Sequence, residues 1–532
     1  MNSNTQQAPA AVTSIQVELP YQADTQSVYQ QVCQPHGRHV LLDSADIGTK
    51  QALKSLLLID AALELKCSGQ RVTVQALTNN GKPLKALLDQ QLTDYLLATS
   101  ESTSEFKFPV SNRDLDEMSR LKEVSNFEPL RLIQHTLERR NAASSHDFAV
   151  FLAGSFGYDL LASYEQLPQV ETGENRAPDY VFYVSETLLA VDHQRQSSQL
   201  IASLFTPEVS SDAYAQMSQR IGELAARCQL PPRQQTQYTP LAADYQSITA
   251  TPSQAVFKQH VSELKEHILD GDIFQVVPSR RFSLPCHDAL ASYAVLKQTN
   301  PSPYMFYLSH PDFTLFGASP ESALKYTATS NQVELYPIAG TRPRGKQPDG
   351  NLDHDLDSRL ELELRMDQKE LSEHLMLVDL ARNDLARICQ PGTRNVADLL
   401  KVDRYSHVMH LVSRVVGQLR EDCDALHAYR ACMNMGTLIG APKVSAARLI
   451  RQVEQQGRGS YGGAVGYLAG NGDMDTCIVI RSAFVSGGRA VVQAGAGVVH
   501  DSDPQAEVDE TENKARAVIA AVQTANAQGE RS

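Results

Sequence analysis

The sequence predicts an α+β fold, with two closely associated domains built on antiparallel sheets and flanking helices. At 532 residues the chain exceeds the size at which one hydrophobic core stops growing, so two or more domains are expected. In its C-terminal half, strand-like and helical segments mix without the strand–helix–strand rhythm of a parallel sheet. Asn471-Gly472 adds a hairpin turn signal there. Between the halves, Thr206 to Thr251 changes character, being rich in Ser, Gln and Ala and carrying Pro231-Pro232.

The elements follow in order. Residues 1–30 read as a weakly ordered N-terminus. Residues 31–205 form the first domain. Within it, from Val40 to Leu77 and from Phe106 to His193, apolar strands such as Tyr180 to Val184 alternate with helical stretches. Residues 206–252 read as a connection. The second domain, 253–525, opens on a helix capped by Ser253. Phe257, Val261, Leu264 and Ile268 recur along it at helical spacing, and Gly271 ends it. Asp475 to Val485 and the Gly-alternating Gln493 to Val499 read as strands. Ala506 to Ala521 reads as a helix with Glu507, Glu510, Thr511 and Lys514 on one face and Val508, Ala515, Val518 and Ile519 on the other. Residues 526–532 are a tail.

Composition narrows the class. Hydrophobic content of 42% and charge of 21% are globular values. The best apolar run, Leu53 to Leu65, is broken by Lys54, Asp60 and Glu64, so no membrane span is expected. Met1 to Thr13 lacks the basic start and apolar stretch of a signal peptide. The eight cysteines include no C-x-x-C pair, as suits reduced thiols in a cytoplasmic protein. A net charge of −14 argues against nucleic acid or an anionic membrane as partner, and an anionic substrate would need local positive charge.

Two Glu-x-x-Glu pairs, Glu370/Glu373 and Glu507/Glu510, each project two carboxylates from one helical face. Such a pair costs roughly 0.2–0.5 kcal/mol unless something neutralises it. A hard divalent cation would do so, with Mg²⁺ the first choice, and a solvated acidic face is the plain alternative. In Pro337 to Gly345, Gly340 would let backbone approach a ligand and Thr341 would offer a hydroxyl, although a surface turn explains the segment equally well. Gly436 to Lys443 has the look of an anion-binding loop before a helix but lacks P-loop spacing. Gly495-Ala496-Gly497 could hold a carboxylate on its N–H groups, or mark a tight strand crossing. His410, between Met409 and Leu411, reads by itself as a core histidine. Arg481 lies in the apolar run Ile478 to Phe484; buried, it needs a carboxylate or phosphate, and on an edge it needs only solvent.

Together these segments resemble anthranilate synthase component I, the chorismate-using aminase subunit. The resemblance runs from about Val40 to about Ala521. It is densest in Phe274 to Arg280, the Pro337 segment, Glu370 to Asp384, the Thr437 loop, Tyr461 to Tyr467 and Gln493 to Arg516. It implies the chorismate-binding fold and conversion of chorismate and ammonia to anthranilate and pyruvate with Mg²⁺. Glu373 and Glu510 would hold the metal, with Glu370 and Glu507 beside them. Tyr461, Arg481 and Gly495, Ala496 and Gly497 would take the enolpyruvyl carboxylate, with Lys514 adding positive charge, and Gly340 and Thr341 would line the ring. Glu321 would be the general acid, and His410 would assist the second step with Thr437 nearby. Relatives that form isochorismate carry a Lys where this chain has Gln275, and those that form aminodeoxychorismate carry one where it has Ala339. Both positions therefore favour free ammonia as nucleophile over the sister reactions.

The resemblance also implies inhibition by tryptophan at a site between the domains. Asp43 and Ser44 would meet Asn300, Pro303, Tyr304, Met305 and Phe306, with Cys477 joining them. Glutaminase chemistry is absent, since no Cys sits in a G-x-C-x-G elbow. A separate glutaminase subunit that delivers ammonia is implied, in a heterotetramer of two large and two small subunits, or else direct use of ammonium. The family usually has Glu at Asp43 and a small hydroxyl residue at Ile439; the latter departure is the only support for a weakly active tryptophan-binding regulator. If Asp475 to Val485 were one regular strand, Cys477 and Arg481 would share a face and tie the regulatory wall to the substrate anchor.

Overall fold

The computed structural model describes residues 11–45, 52–139, 146–206, 209–231, 238–347, 351–404 and 408–529. Antiparallel pairing links nearly all its strands into one network that crosses between the two halves of the chain. His39–Ala45 pairs with Tyr304–His310, setting Ser44 opposite Tyr304. Phe151–Phe156 pairs with Ala464–Ala469, setting Gly154 opposite Gly466. The same seam is packed with rings: Phe156 of the first half stacks on Tyr429 of the second at 4.2 Å, with Phe127 edge-on to both. Burying such rings on both sides of a seam is what makes the halves one body.

Several of these elements are found in the structure. Gln254–Leu269 is a helix whose N-cap is Ser253, and Gly271 follows it at φ +82°. Gly472 turns the hairpin between Ala464–Ala469 and Met474–Ile478 at φ +98°. All eight cysteines are free, and among the described residues no helix is long and apolar enough to cross a membrane.

Others are corrected. Within 1–30, Ala11–Leu19 is a strand paired with Ser197–Leu204, and Thr25–Val32 is a helix capped by Asp24. The Ile15, Val17, Leu19 alternation carries this strand within a composition that reads as disordered. The 206–252 connection contains the helix Ser211–Cys228, which buries Met217, Ile221, Leu224 and Cys228 at helical spacing. The final helix runs Pro504–Gly529, so 526–529 is not a tail. Residues 1–10 and 530–532 lie outside the described residues. Asp475 to Val485 is not one strand: Met474–Ile478 pairs with Ser322–Thr327, whereas Ser482–Ser486 pairs with Phe313–Ser319. The change of partner falls at Arg481, which adopts φ +48°. Cys477 therefore lies in the first strand and Arg481 in the bend before the second, and the two share no pleated face. Gln493 to Val499 likewise divides, with a strand ending at Gly495 and Val498 bridging separately to Val276.

Candidate active site

The two acidic helices meet. Gln368–Ala386 starts at Asp367, whose carboxylate accepts from the Lys369 and Glu370 N–H groups. Arg342 on the strand Ile338–Pro343 clamps this start, donating to Asp367 at 2.6 Å and to Glu370 at 2.9 Å. Gly340, at φ +81°, bulges that strand against the helix. A Cβ there would lie 3.2 Å from Glu370 Oε2, in a left-handed conformation only glycine adopts cheaply. The bulge aims Thr341 at His410, with Thr341 Oγ1 and His410 Nδ1 hydrogen-bonded at 2.9 Å.

Glu507 and Glu510, from the first turns of Pro504–Gly529, face the same space. Burial pushes the Glu373 carboxyl up to about 7, with Glu370, Glu510 and Glu507 adding to the rise against Lys369. Burial also raises Glu507, whose Oε2 is enclosed without a hydrogen-bond partner. Glu510 experiences the same burial, yet Lys514 at 2.5 Å and Arg481 hold its carboxyl below the usual value. Among the described residues no three His, Cys, Asp or Glu groups close to ligating distance. The fit rests on donor chemistry. Four carboxylates, one with an orphaned buried oxygen, suit a hard divalent cation and little else.

Glu321 lies between this quartet and the Thr437 turn. It is buried, and desolvation pushes its carboxyl up to about 8 against the opposing pull of Thr437, Lys514 and Arg481. Thr437 Oγ1 donates to Glu321 Oε1 at 3.0 Å, and the Glu321 carbonyl accepts from Ile478 N–H, fixing the side chain's origin. A carboxylic acid kept protonated near neutral pH is a proton donor in waiting. Desolvation holds the half-buried Arg481 guanidinium below its ordinary pKa, with Tyr461, Glu510 and Glu321 opposing; it makes no salt bridge among the described residues. An unpaired guanidinium in strained backbone is a site waiting for an anion.

Gly495 and Gly497 keep this corner open. A Cβ on Gly495 would lie 2.9 Å from the Tyr461 hydroxyl, and one on Gly497 would lie 2.7 Å from Gln275 Nε2. Lys514 Nζ donates to the Gly495 carbonyl at 3.1 Å. The expected row of free N–H groups is incomplete, because the Ala496 N–H donates to the Pro278 carbonyl at 3.1 Å. Of the groups expected to meet an anion at this corner, Tyr461, Arg481 and Lys514 remain.

Residues 75–520 match the family model for chorismate binding enzymes. The chain is 57% identical over 513 residues to anthranilate synthase component 1 of Vibrio cholerae, covering 95% of each. It is 55% identical over 514 residues to that of Escherichia coli, covering 96% of each. Among solved structures, anthranilate synthase component I of Streptococcus pneumoniae superposes with a TM-score of 0.68 at 30% identity, covering 88% of this chain and 92% of that one.

The chain belongs to the anthranilate synthase component 1 family.

For a member of this family, the positions that separate sister activities are now visible in space. Gln275 is buried beside Gly497 with Oε1 unpartnered, and Ala339 sits on the Gly340 strand opposite Leu411. Neither supplies an amine. Ile439 is fully buried and packs in the hydrophobic core, which accommodates the apolar side chain there.

Sequence reasoning missed the floor of the site. Glu454 and Arg458 form an enclosed pair at 2.6 Å, with side chains 2% and 1% exposed. Arg458 donates to the Leu438 and Val277 carbonyls and stacks over Tyr158 and near Tyr461. Glu454 accepts from Ser279 N–H and Oγ. One ion pair thus joins the Gln275 segment, the Thr437 turn and Tyr461. The i, i+4 spacing was its sole sequence signal. Arg458→Met would leave Glu454 buried and unpaired, so chemical denaturation of this variant is expected to show a loss of about 3 kcal/mol.

Of the residues expected at the tryptophan site, Asp43, Ser44, Tyr304, Met305, Phe306 and Cys477 line one cavity of about 330 Å³ on the seam between the halves. Two do not. Asn300 caps the helix Ala289–Thr299, and the Pro303 carbonyl accepts from Ala45 N–H. The Asp43 carboxylate is already engaged, by Lys297 at 2.5 Å, Thr25 at 3.0 Å and Tyr293 at 3.3 Å. Burial opposes its ionisation, but Lys297 and the Ser55 and Thr25 hydroxyls hold its carboxyl below the usual range. Its stabilising contribution is therefore present at neutral pH and is lost as pH falls through the folded-state value. Lys297→Ala is expected to cost about 2 kcal/mol at neutral pH and less in acid, measured as urea midpoints across pH.

Proposed function

We propose that the chain converts chorismate and ammonia into anthranilate, pyruvate and water, as the first committed step of tryptophan biosynthesis in the cytoplasm. The observation that carries this reading is Glu321: a buried acid raised to about 8, held by Thr437, beside an unpaired Arg481 and four converging glutamates.

In this reading Arg481 and Tyr461 bind the enolpyruvyl carboxylate, and Gly340 and Thr341 lie along the ring. The ring carboxylate faces Glu373 and Glu510, which would hold Mg²⁺, with Glu370 and Glu507 supporting them. When bound, Mg²⁺ supplies the positive charge that lets an anion sit among glutamates. Glu321 gives its proton to the ring hydroxyl, which leaves as water while ammonia adds to the ring. His410, held by Thr341, assists loss of pyruvate and aromatisation. Ammonia comes from glutamine through a separate glutaminase component, in a complex of two large and two small subunits. Tryptophan is the inhibitor, bound in the cavity at Ser44 and Met305. Because the chain contains no tryptophan, indole emission would report ligand binding directly.

The test mixes the chain with chorismate, Mg²⁺ and ammonium at mildly alkaline pH and identifies the products. Fluorescent anthranilate with equimolar pyruvate is expected. Isochorismate or aminodeoxychorismate would indicate a sister enzyme, and no turnover with retained tryptophan binding would indicate a regulator.

A further inference from the structure

The four converging glutamates meet positive charge in different ways. Lys514 reaches Glu510 at 2.5 Å and Lys369 reaches Glu373 at 3.9 Å, each from one turn away on the same helix. A lysine on a flexible stem can swing aside for a metal ion. Glu507 Oε2 has no hydrogen-bond partner among the described residues. Glu370 is held from a different element. Arg342 Nη1 donates to Glu370 Oε1 at 2.9 Å and to the Thr341 carbonyl at 2.9 Å, and its Nη2 donates to Asp367 Oδ2 at 2.6 Å. Three acceptors fix one planar guanidinium, and a fork held in that way does not swing as a lysine does.

Charge explains why Glu370 should be held so firmly. Two carboxylates already match the charge of a divalent cation. A third on the metal would take a coordination position and leave the centre negative toward an anionic substrate. Glu370 is placed to be that third ligand. It lies one helical turn from Glu373 and adds to the charge felt there. Its Oε2 stands 3.2 Å from where a Cβ on Gly340 would be, at the bulge beside Thr341. Pairing with Arg342 cancels the Glu370 charge and occupies the carboxylate from the side of the strand.

We propose that Arg342 is a positioning residue that keeps Glu370 off the metal and so leaves one coordination position of the cation open for the ring carboxylate of the substrate. The proposal rests on the function given above, and the two fail separately. Mg²⁺ is titrated calorimetrically into the chain, Arg342→Gln, Arg342→Lys and the double variant Arg342→Gln/Glu370→Gln, and rates are measured with chorismate and ammonium. Arg342→Gln releases Glu370. It is expected to bind Mg²⁺ about tenfold more tightly than the parent, with KM for chorismate raised about tenfold and kcat within about twofold. Arg342→Lys, which can hold one of the two carboxylates at a time, should fall between. Adding Glu370→Gln should abolish the gain in Mg²⁺ affinity. A residue that only supports the site would give the opposite sign, a loss of about 10–100-fold in metal affinity. Weaker or unchanged Mg²⁺ binding by Arg342→Gln overturns the proposal, and so does a gain that persists in the double variant. If Arg342→Gln does not fold, Arg342→Lys decides by the same sign. A parent chain that binds Mg²⁺ but makes no anthranilate refutes the proposed function, and the Mg²⁺ affinities still decide the role of Arg342.

Discussion

Glu321→Gln is expected to lower kcat by about 10²–10⁴-fold, the range of a general acid removed from a reaction. The amide keeps the shape of the side chain and can still accept from Thr437 Oγ1, so binding of chorismate should change little. What disappears is the proton. Desolvation keeps Glu321 protonated up to about pH 8, so the parent enzyme holds its acid form at neutral pH and loses it as pH rises through that value. The ammonium-driven rate, corrected for the fraction present as neutral ammonia, should therefore fall above about pH 8, whereas the residual rate of Glu321→Gln should show no such fall. A uniform loss in kcat/KM with the same pH limb in both proteins would remove Glu321 from the acid's role and leave it as a structural group.

Glu373→Gln is expected to reduce Mg²⁺-dependent turnover at least about 100-fold, since a direct ligand should cost no less than an outer-sphere one. The physical case rests on repulsion. Glu373 sits among Glu370, Glu507 and Glu510, with Lys369, 3.9 Å away, as the opposing charge. The folded chain tolerates that arrangement, and a divalent cation would turn it from a liability into a binding site. Thermal unfolding checks the same point without turnover. Mg²⁺ should raise the Tm of the parent chain and leave that of Glu373→Gln unchanged, because only a folded-state ligand site shifts the unfolding equilibrium.

How far the sequence reached can be argued from particular residues. The helix at Ser253 and the acidic face of Glu507 and Glu510 were legible because a cap and a 3.6-residue period are local properties. The break at Arg481 was not. Apart from Arg481 and Ser482, Ile478 to Phe484 is apolar, and what ends one strand and begins another is a change of partner, from Ser322–Thr327 to Phe313–Ser319. Ala11–Leu19 was hidden by the Gln- and Ala-rich composition around it, and Ser211–Cys228 by a composition typical of linkers. Within the site, each Glu-x-x-Glu pair was visible alone, but their convergence is a tertiary fact. The Arg458–Glu454 floor and the Lys297–Asp43 pair were illegible for the same reason. Burial decides what an ion pair is worth, and burial is set by distant segments.

Two helices far apart in sequence are expected to build one cation site. Calorimetric titration of Mg²⁺ into the chain, Glu373→Gln and Glu510→Gln tests it most directly. One equivalent should bind to the parent chain and none to either variant, because each helix contributes a required carboxylate. Undiminished Mg²⁺ binding by either variant would contradict the claim and return that helix to the status of an acidic surface.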